Sequence, residues 1–301
     1  ATSRPAAVPS SKCSRARHCR LSRSSPSAHC DETPPMSKLK ALLWDVDGTL
    51  AETERDGHRV AFNLAFEAFG LPWRWDDARY GQLLQVTGGR ERLMHDMDSR
   101  ADAPPLAGER DTLARALHAK KNTLYAELVA GTGIPMRGGV LELMRECRDH
   151  GVRMAIATTT SRSNLEALLR KHMGDRWAAW FGAVVCGEDV QRKKPDPEAF
   201  VKAMQALGVG PLEAVALEDS PGGVAAARAA DCPVIVTRSF YFAQASVEGA
   251  IAVGPGLHTR EGWRPAPGAR SPRPGAGQAD RIRLADIADW FTQRDTISDY
   301  P

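Results

Sequence analysis

The run Leu42-Leu43-Trp44-Asp45-Val46-Asp47-Gly48-Thr49-Leu50 is an apolar strand that stops abruptly in two aspartates one residue apart. A strand buried on both faces reads as a continuous apolar run, and in open parallel sheets ligands collect beyond the carboxyl ends of such strands. In extended chain alternate side chains share a face, so both carboxylates point the same way before Gly48-Thr49 turns the chain. Like charges this close need a counter-charge, and a hard divalent cation such as magnesium supplies one through oxygen ligands. A bare Asp-x-Asp also closes ordinary turns. The apolar run before it and the Gly-Thr-Leu after it point instead to a reaction centre.

With 301 residues, 43% of them hydrophobic, the chain has room for a core and a second small domain. Net charge is only +3, and much of the basic excess lies in the first few dozen residues and near 260–283. The rest is close to neutral, which argues against a nucleic-acid footprint. No apolar run approaches the roughly 20 residues that cross a bilayer, so a soluble cytoplasmic protein with no membrane partner is expected. Cys147, Cys186 and Cys232 lie in helix- and strand-like stretches and read as buried thiols of a reducing compartment. Cys13, Cys19 and Cys30, with His18 and His29, match no usual zinc-finger spacing.

Residues 1–35 are rich in Ser, Arg, Pro and Ala without apolar periodicity, and disorder is expected there. The tail has the composition of a transit peptide, which would make the plastid stroma the alternative location. It reads equally well as upstream translated sequence before Met36-Ser37-Lys38. From Glu52 to about Gly70 a helix is expected, with stripes Phe62/Phe66/Phe69 and Ala61/Leu64/Ala65/Ala68 that require packing on two sides. A second helix spans about Asp111 to Val129, between the breakers Pro104-Pro105 and Gly131/Gly133. An all-helical insert over 54–135, directly after the aspartate strand, is most simply a cap over the site.

From Gly138 onward helices and strands alternate. Helices are expected over Val140–His150, 163–172, 196–207 and 221–230, and strands over Val152–Ala157, Ala183–Cys186, Ala214–Leu217 and Pro233–Thr237. That alternation means right-handed crossovers and a Rossmann-like α/β core with a parallel sheet, built from 36–53 and 136–301. Residues 254–280, rich in Gly, Pro and Arg, are expected to form a surface loop or disordered insert, and a last helix near 282–292 to dock on the core.

Polar signatures recur where the later strands end. Thr158-Thr159-Thr160-Ser161 offers hydroxyls and backbone N–H groups suited to a phosphate oxygen. Lys193 and Lys194 precede Pro195, and Glu218-Asp219-Ser220 is an acidic pair placed for a second set of magnesium ligands. These stretches, in this order, resemble the four motifs of the haloacid dehalogenase superfamily of phosphohydrolases. The resemblance implies that Asp45 is the nucleophile, that Asp47 is the general acid and base, and that Thr158 and Lys194 bind the transferring phosphoryl. It implies magnesium held by Asp45, the backbone carbonyl of Asp47, and Asp219, with Glu218 nearby.

A closer resemblance rests on residues 47–59, Trp75-Asp76, Tyr80, Thr87-Gly88-Gly89-Arg90-Glu91-Arg92 and Ala157 to Ser161. These look like the CbbY family, whose members act in carbon fixation on xylulose 1,5-bisphosphate, a sugar that inhibits Rubisco. The implied partner is a small phosphorylated sugar, and a monomer is expected. Candidate substrate contacts are Glu54, Tyr80, Gly88, Gly89, Arg90, Arg92, Lys121, Thr159 and Thr160, with Arg137 as a further phosphate partner and His58 as a gating residue of the cap. A sugar phosphomutase related to beta-phosphoglucomutase, a phosphatase of another small sugar phosphate, and a non-catalytic scaffold are the rival readings.

Overall fold

The computed structural model describes residues 39–273 and 280–293. The tail over 1–35, with its cysteines and histidines, and positions 274–279 of the insert lie outside the described residues. Seven strands form one sheet: β1 (Ala41–Trp44), β2 (Arg153–Ala157), β3 (Ala183–Val185), β4 (Ala214–Glu218), β5 (Val234–Thr237), β6 (Ala252–Gly254) and β7 (Arg264–Pro265). Their spatial order is β3-β2-β1-β4-β5-β6-β7. The first six pair in parallel and β7 runs antiparallel to β6. The chain winds one way from β1 to β3, then returns to place β4 on the other side of β1. The crevice beyond the carboxyl ends of β1 and β4 is therefore the topological switch point, where open α/β sheets bind ligands.

Alternation along each strand divides the core into two layers. Leu42, Trp44, Met154, Ile156, Val215 and Leu217 face one side, under α5 (Val140–Asp149), α6 (Arg162–Met173) and α9 (Leu284–Gln293). On the other side Ala41, Leu43, Ala155, Ala157, Ala214 and Ala216 meet α7 (Glu198–Leu207) and α8 (Pro221–Ala229). So many alanines leave little height on that face, and the helices come close enough for Ala199, Phe200 and Ala203 to bury fully. Cys147, Cys186 and Cys232 are buried. No helix among the described residues is long and apolar enough to cross a membrane.

The cap consists of a π-helical turn (Glu54–His58) continuing into α1 (Arg59–Ala68), then α2 (Asp77–Leu83), α3 (Gly89–Asp98) and α4 (Ala107–Ala130). It has its own core, in which Phe62 lies 4.8 Å and Phe66 5.0 Å from the Trp75 ring. The chain enters and leaves it along adjacent strands of backbone, with Ala51 bridged to Met136 and the Arg137 N–H bound to the Leu50 carbonyl at 2.7 Å.

Three expectations are corrected. Only Ala61, Phe62, Ala65 and Phe66 of the first cap helix are buried, while Leu64 and Phe69 are exposed. The stripe is narrower than the composition implied because α4 and the tryptophans cover one arc alone. Second, α2 and α3 were not read as helices, since both are short and polar outside the cap core. Third, the described part of the 254–280 insert is not a plain surface loop. Arg264–Pro265 adds an edge strand, and Leu257 and Trp263 are buried, the latter stacked at 4.9 Å on Trp290. The apolar anchors are too few to give a period, so a Gly/Pro-rich composition concealed them. Replacing Trp263 by Ala is expected to destabilise the protein by about 3–5 kcal/mol in urea unfolding; a solvated loop would shift it by only about 0.5 kcal/mol.

Candidate active site

The strand ends converge on one ammonium. Asp45 follows β1 directly, and its N–H donates to the Leu217 carbonyl of β4 at 3.0 Å, fixing the two strand ends level. Lys194 Nζ donates to Asp45 Oδ1 and to Glu218 Oε1, each at 2.6 Å, with all three side chains buried. The second oxygen of Glu218 accepts from the Asp219 and Ser220 N–H groups and from the Ser220 hydroxyl. Glu218 thus holds both Lys194 and the turn into α8.

Carboxylate oxygens of Asp45, Glu218 and Asp219 lie within 4.8 Å of one another. Burial, offset in part by Lys194 and reinforced by Glu218 and Asp47, pushes the Asp45 carboxyl up to about 8. Burial with the charges of Glu218 and Asp45 lifts Asp219 far above the usual carboxylate range. Lys194, despite its burial, is held above the ordinary lysine value by its two carboxylates. One ammonium faces three buried carboxylates, and a set of hard oxygens with surplus negative charge fits a divalent cation such as magnesium. Gly48 makes the cluster possible: its φ is +81°, and a Cβ there would collide with the Asp219 carboxylate.

Asp47 faces other partners. Thr53 Oγ1 donates to its Oδ1 at 2.6 Å, and His58 Nε2 lies 3.0 Å from the same oxygen. Lys121 Nζ donates to His58 Nδ1 at 2.8 Å. An ammonium only donates, so the ring proton sits on Nε2 and is given to Asp47. Burial opposes ionisation of Asp47, yet the His58 and Thr53 hydrogen bonds and the nearby Lys121 charge outweigh it and hold the carboxyl below the usual carboxylate range. Burial draws Lys121 down to about 8, against the pull of Glu54 and Asp47. Two carboxylates one residue apart thus have opposite proton affinities, set by their surroundings.

Between the sheet ends and the cap lies a cavity of about 360 Å³, lined by Asp45, Asp47 and Lys194 on the core side and by Glu54, Arg92 and Lys121 on the cap side. Gly88, Gly89, Thr159 and Thr160 also line it. Thr158 is buried beneath them, its Oγ1 accepting from the Thr160 N–H at 3.3 Å. Tyr80 stands behind the wall: its hydroxyl donates to Glu54 and accepts from Arg92 Nη1 at 2.8 Å, orienting both. His58 lines the cavity through the contacts above.

Arg90 and Arg137 are not brought to it. Arg90 pairs with Asp111 of α4 on the cap. Arg137 donates to the carbonyls of Gly48, Thr237, Arg238 and Pro255, so its guanidinium serves backbone groups rather than a ligand. Asp47 contributes no side-chain oxygen to the acidic cluster of Asp45, Glu218 and Asp219. His118 lines the cavity and was missed. One turn before Lys121, at i and i+3 on the same helix face, it was within reach of a spacing argument.

Residues 39–231 match the model of the haloacid dehalogenase-like hydrolases. The chain belongs to that family. It is 43% identical over 221 residues to Protein CbbY of Cupriavidus necator, across 73% of this chain and 86% of that protein. CbbY of Cereibacter sphaeroides is 40% identical over 213 residues, covering 70% and 90%. Among solved structures, a mutant of CbbY from Rhodobacter sphaeroides in complex with xylulose-1,5-bisphosphate superposes with a TM-score of 0.67 at 39% identity, over 71% of this chain and 93% of that one. CbbY from the same source in complex with phosphate gives 0.66 at 40% identity, over 70% and 92%. As a haloacid dehalogenase-like hydrolase with CbbY relatives, the chain is a phosphatase.

The cavity also carries an acid-sensitive element. Burial, with Lys121 and Lys193 nearby, lowers His118 from 6.5 to about 4. A base whose folded value is depressed binds fewer protons than its unfolded form, so stability falls as pH drops through that interval. Urea unfolding of His118→Asn is expected to show a smaller loss of stability between about pH 6.5 and 4 than the parent protein; equal losses would refute the assignment.

Proposed function

We propose that this phosphatase hydrolyses a sugar bisphosphate, xylulose 1,5-bisphosphate, with magnesium and through an aspartyl-phosphate on Asp45. The observation that carries this reading is the two-ended cavity, with Asp45 and Lys194 at one end and Arg92, His118 and Lys121 on the cap side. One end suits a reacting phosphoryl group and the other a second phosphate on the same small molecule, for which clustered cations are the natural partners. The likeness to CbbY bound to that sugar supports the choice of substrate.

In the first half-reaction an Asp45 oxygen attacks phosphorus, the bond from phosphorus to the sugar oxygen breaks, and Asp47, ionised at rest, passes to that oxygen a proton relayed from Lys121 through His58. Thr158 and Lys194 bind the phosphoryl oxygens and keep the displacement in line. In the second half water attacks the same phosphorus, Asp47 takes its proton, and the Asp45 carboxylate and inorganic phosphate are released. His58 suits the proton traffic, since its Nε2–H is already directed at Asp47 with Lys121 behind it. Asp45, Asp219 and the Asp47 carbonyl would hold magnesium, whose charge would offset the burial and the neighbouring carboxylates that raise Asp45 and would favour its ionised, nucleophilic form.

Phosphate release from xylulose 1,5-bisphosphate is expected with magnesium and is expected to stop on chelation by EDTA. Asp45→Asn should abolish turnover and Asp47→Asn should lower kcat by about 10²–10⁴-fold. Isomerisation of beta-glucose 1-phosphate without phosphate release would overturn the hydrolytic reading.

A further inference from the structure

Two pairs of an acidic with a basic side chain join cap to core among the described residues. One is His58–Asp47, close to the chain crossings. The other is Glu91–Lys193, which ties the first turn of α3 to the loop before α7, Glu91 Oε1 standing 2.8 Å from Lys193 Nζ. No step of the reaction uses the second pair. Lys193 is nevertheless the immediate neighbour of Lys194, and Glu91 follows Gly88 and Gly89, two glycines of the cavity wall.

Resting on the phosphatase reading, we propose that Glu91 and Lys193 are positioning residues. Their ion pair sets the closure of the cap over the phosphoryl site and steadies the turn that holds Lys194 between Asp45 and Glu218.

Gly88 is built for this contact. Its φ is +99°, and a Cβ on it would strike both the Glu91 carboxylate and Lys193 Nζ, so the two charged tips rest directly on the cap turn. A side chain there would displace the two charged tips from each other. The pair is only half-buried, and the second Glu91 oxygen, although enclosed, has no hydrogen-bond partner. A single contact of this kind forms and breaks readily, as a cap that must admit substrate and release product requires. Burial works against the ionised Glu91, but the Lys193 bond keeps its carboxyl below the usual value. Because the peptide unit between Lys193 and Lys194 is shared, opening the pair loosens the turn carrying the ammonium that faces Asp45.

The test compares Glu91→Gln, Lys193→Met and the reversed pair Glu91→Lys with Lys193→Glu against the parent protein. Kinetics on xylulose 1,5-bisphosphate with magnesium would be read alongside amide hydrogen exchange of residues 85–92 and 190–196. Each single variant is expected to lose about tenfold in kcat/KM, with kcat falling as well as KM rising. Exchange should quicken in both segments, although they lie in different domains. The reversed pair should recover most of both losses, short of complete because a lysine is unfavourable in the first turn of α3. Single variants that match the parent in exchange, or a reversed pair no better than the singles, would overturn the proposal. A parent protein that releases no phosphate would instead overturn the phosphatase reading, and the exchange comparison still decides whether the pair governs closure.

Discussion

The constraint on which the rest of the structure depends is the burial of Lys194 between Asp45 and Glu218. Three carboxylates within 4.8 Å of one another cannot all be ionised in a dry crevice unless positive charge is brought to them. The fold answers by drawing on three segments remote in sequence: the end of β1, the end of β4 with the residue after it, and the loop before α7. The order of the sheet allows this. With β4 beside β1, Glu218 and Asp219 come level with Asp45, and the alanine-lined face lets α7 settle low enough for the loop before it to reach inward. Core packing and site electrostatics are therefore one problem, since anything that lifted α7 would withdraw Lys194 from the acidic cluster.

The cap solves a different part of the same problem. Asp45 and Asp47 are nearly identical in sequence context but not in surroundings. Asp45 is surrounded by core carboxylates and is pushed toward protonation, whereas Asp47 turns to Thr53 and to His58, which the cap lysine Lys121 supports. Without the cap the second aspartate would lose both its imidazole and the ammonium behind it. A helical insert directly after the aspartate strand thus does more than cover the cavity, because it differentiates two adjacent carboxylates.

Much of this was legible in the sequence. The apolar run ending in Asp-x-Asp, the alternation after Gly138 and the polar turns at Thr158, Lys194 and Glu218 led to the parallel sheet and to the residues at its carboxyl ends, because strand burial and strand-end chemistry are local signals. Less legible were features that depend on distance in space. Arg90 and Arg137 look like phosphate ligands on paper, yet Asp111 and a ring of carbonyls claim them. Tyr80 was named as a sugar contact, but it stands behind Glu54 and Arg92 and orients them. Nothing near Glu91 announces Lys193, 102 residues further on. Charged side chains name their possible partners only by sign, and the fold chooses among them.

Arg137 shows what such a choice achieves. Its guanidinium collects carbonyls from the aspartate turn at Gly48, from the end of β5 at Thr237 and Arg238, and from the insert at Pro255, while its own N–H closes the Leu50 backbone at the cap crossing. A rigid fork of five donors suits this task better than a lysine point charge. The result joins three segments that must not move relative to one another: the turn that presents both aspartates, the hinge about which the cap pivots, and the loop anchored by Leu257 and Trp263. Glu91 meets Lys193 at another point of the boundary between cap and core. A site that needs fixed charges and a movable cover requires a stiff hinge and a weak clasp, and these two cations, each withdrawn from the cavity, meet those two requirements.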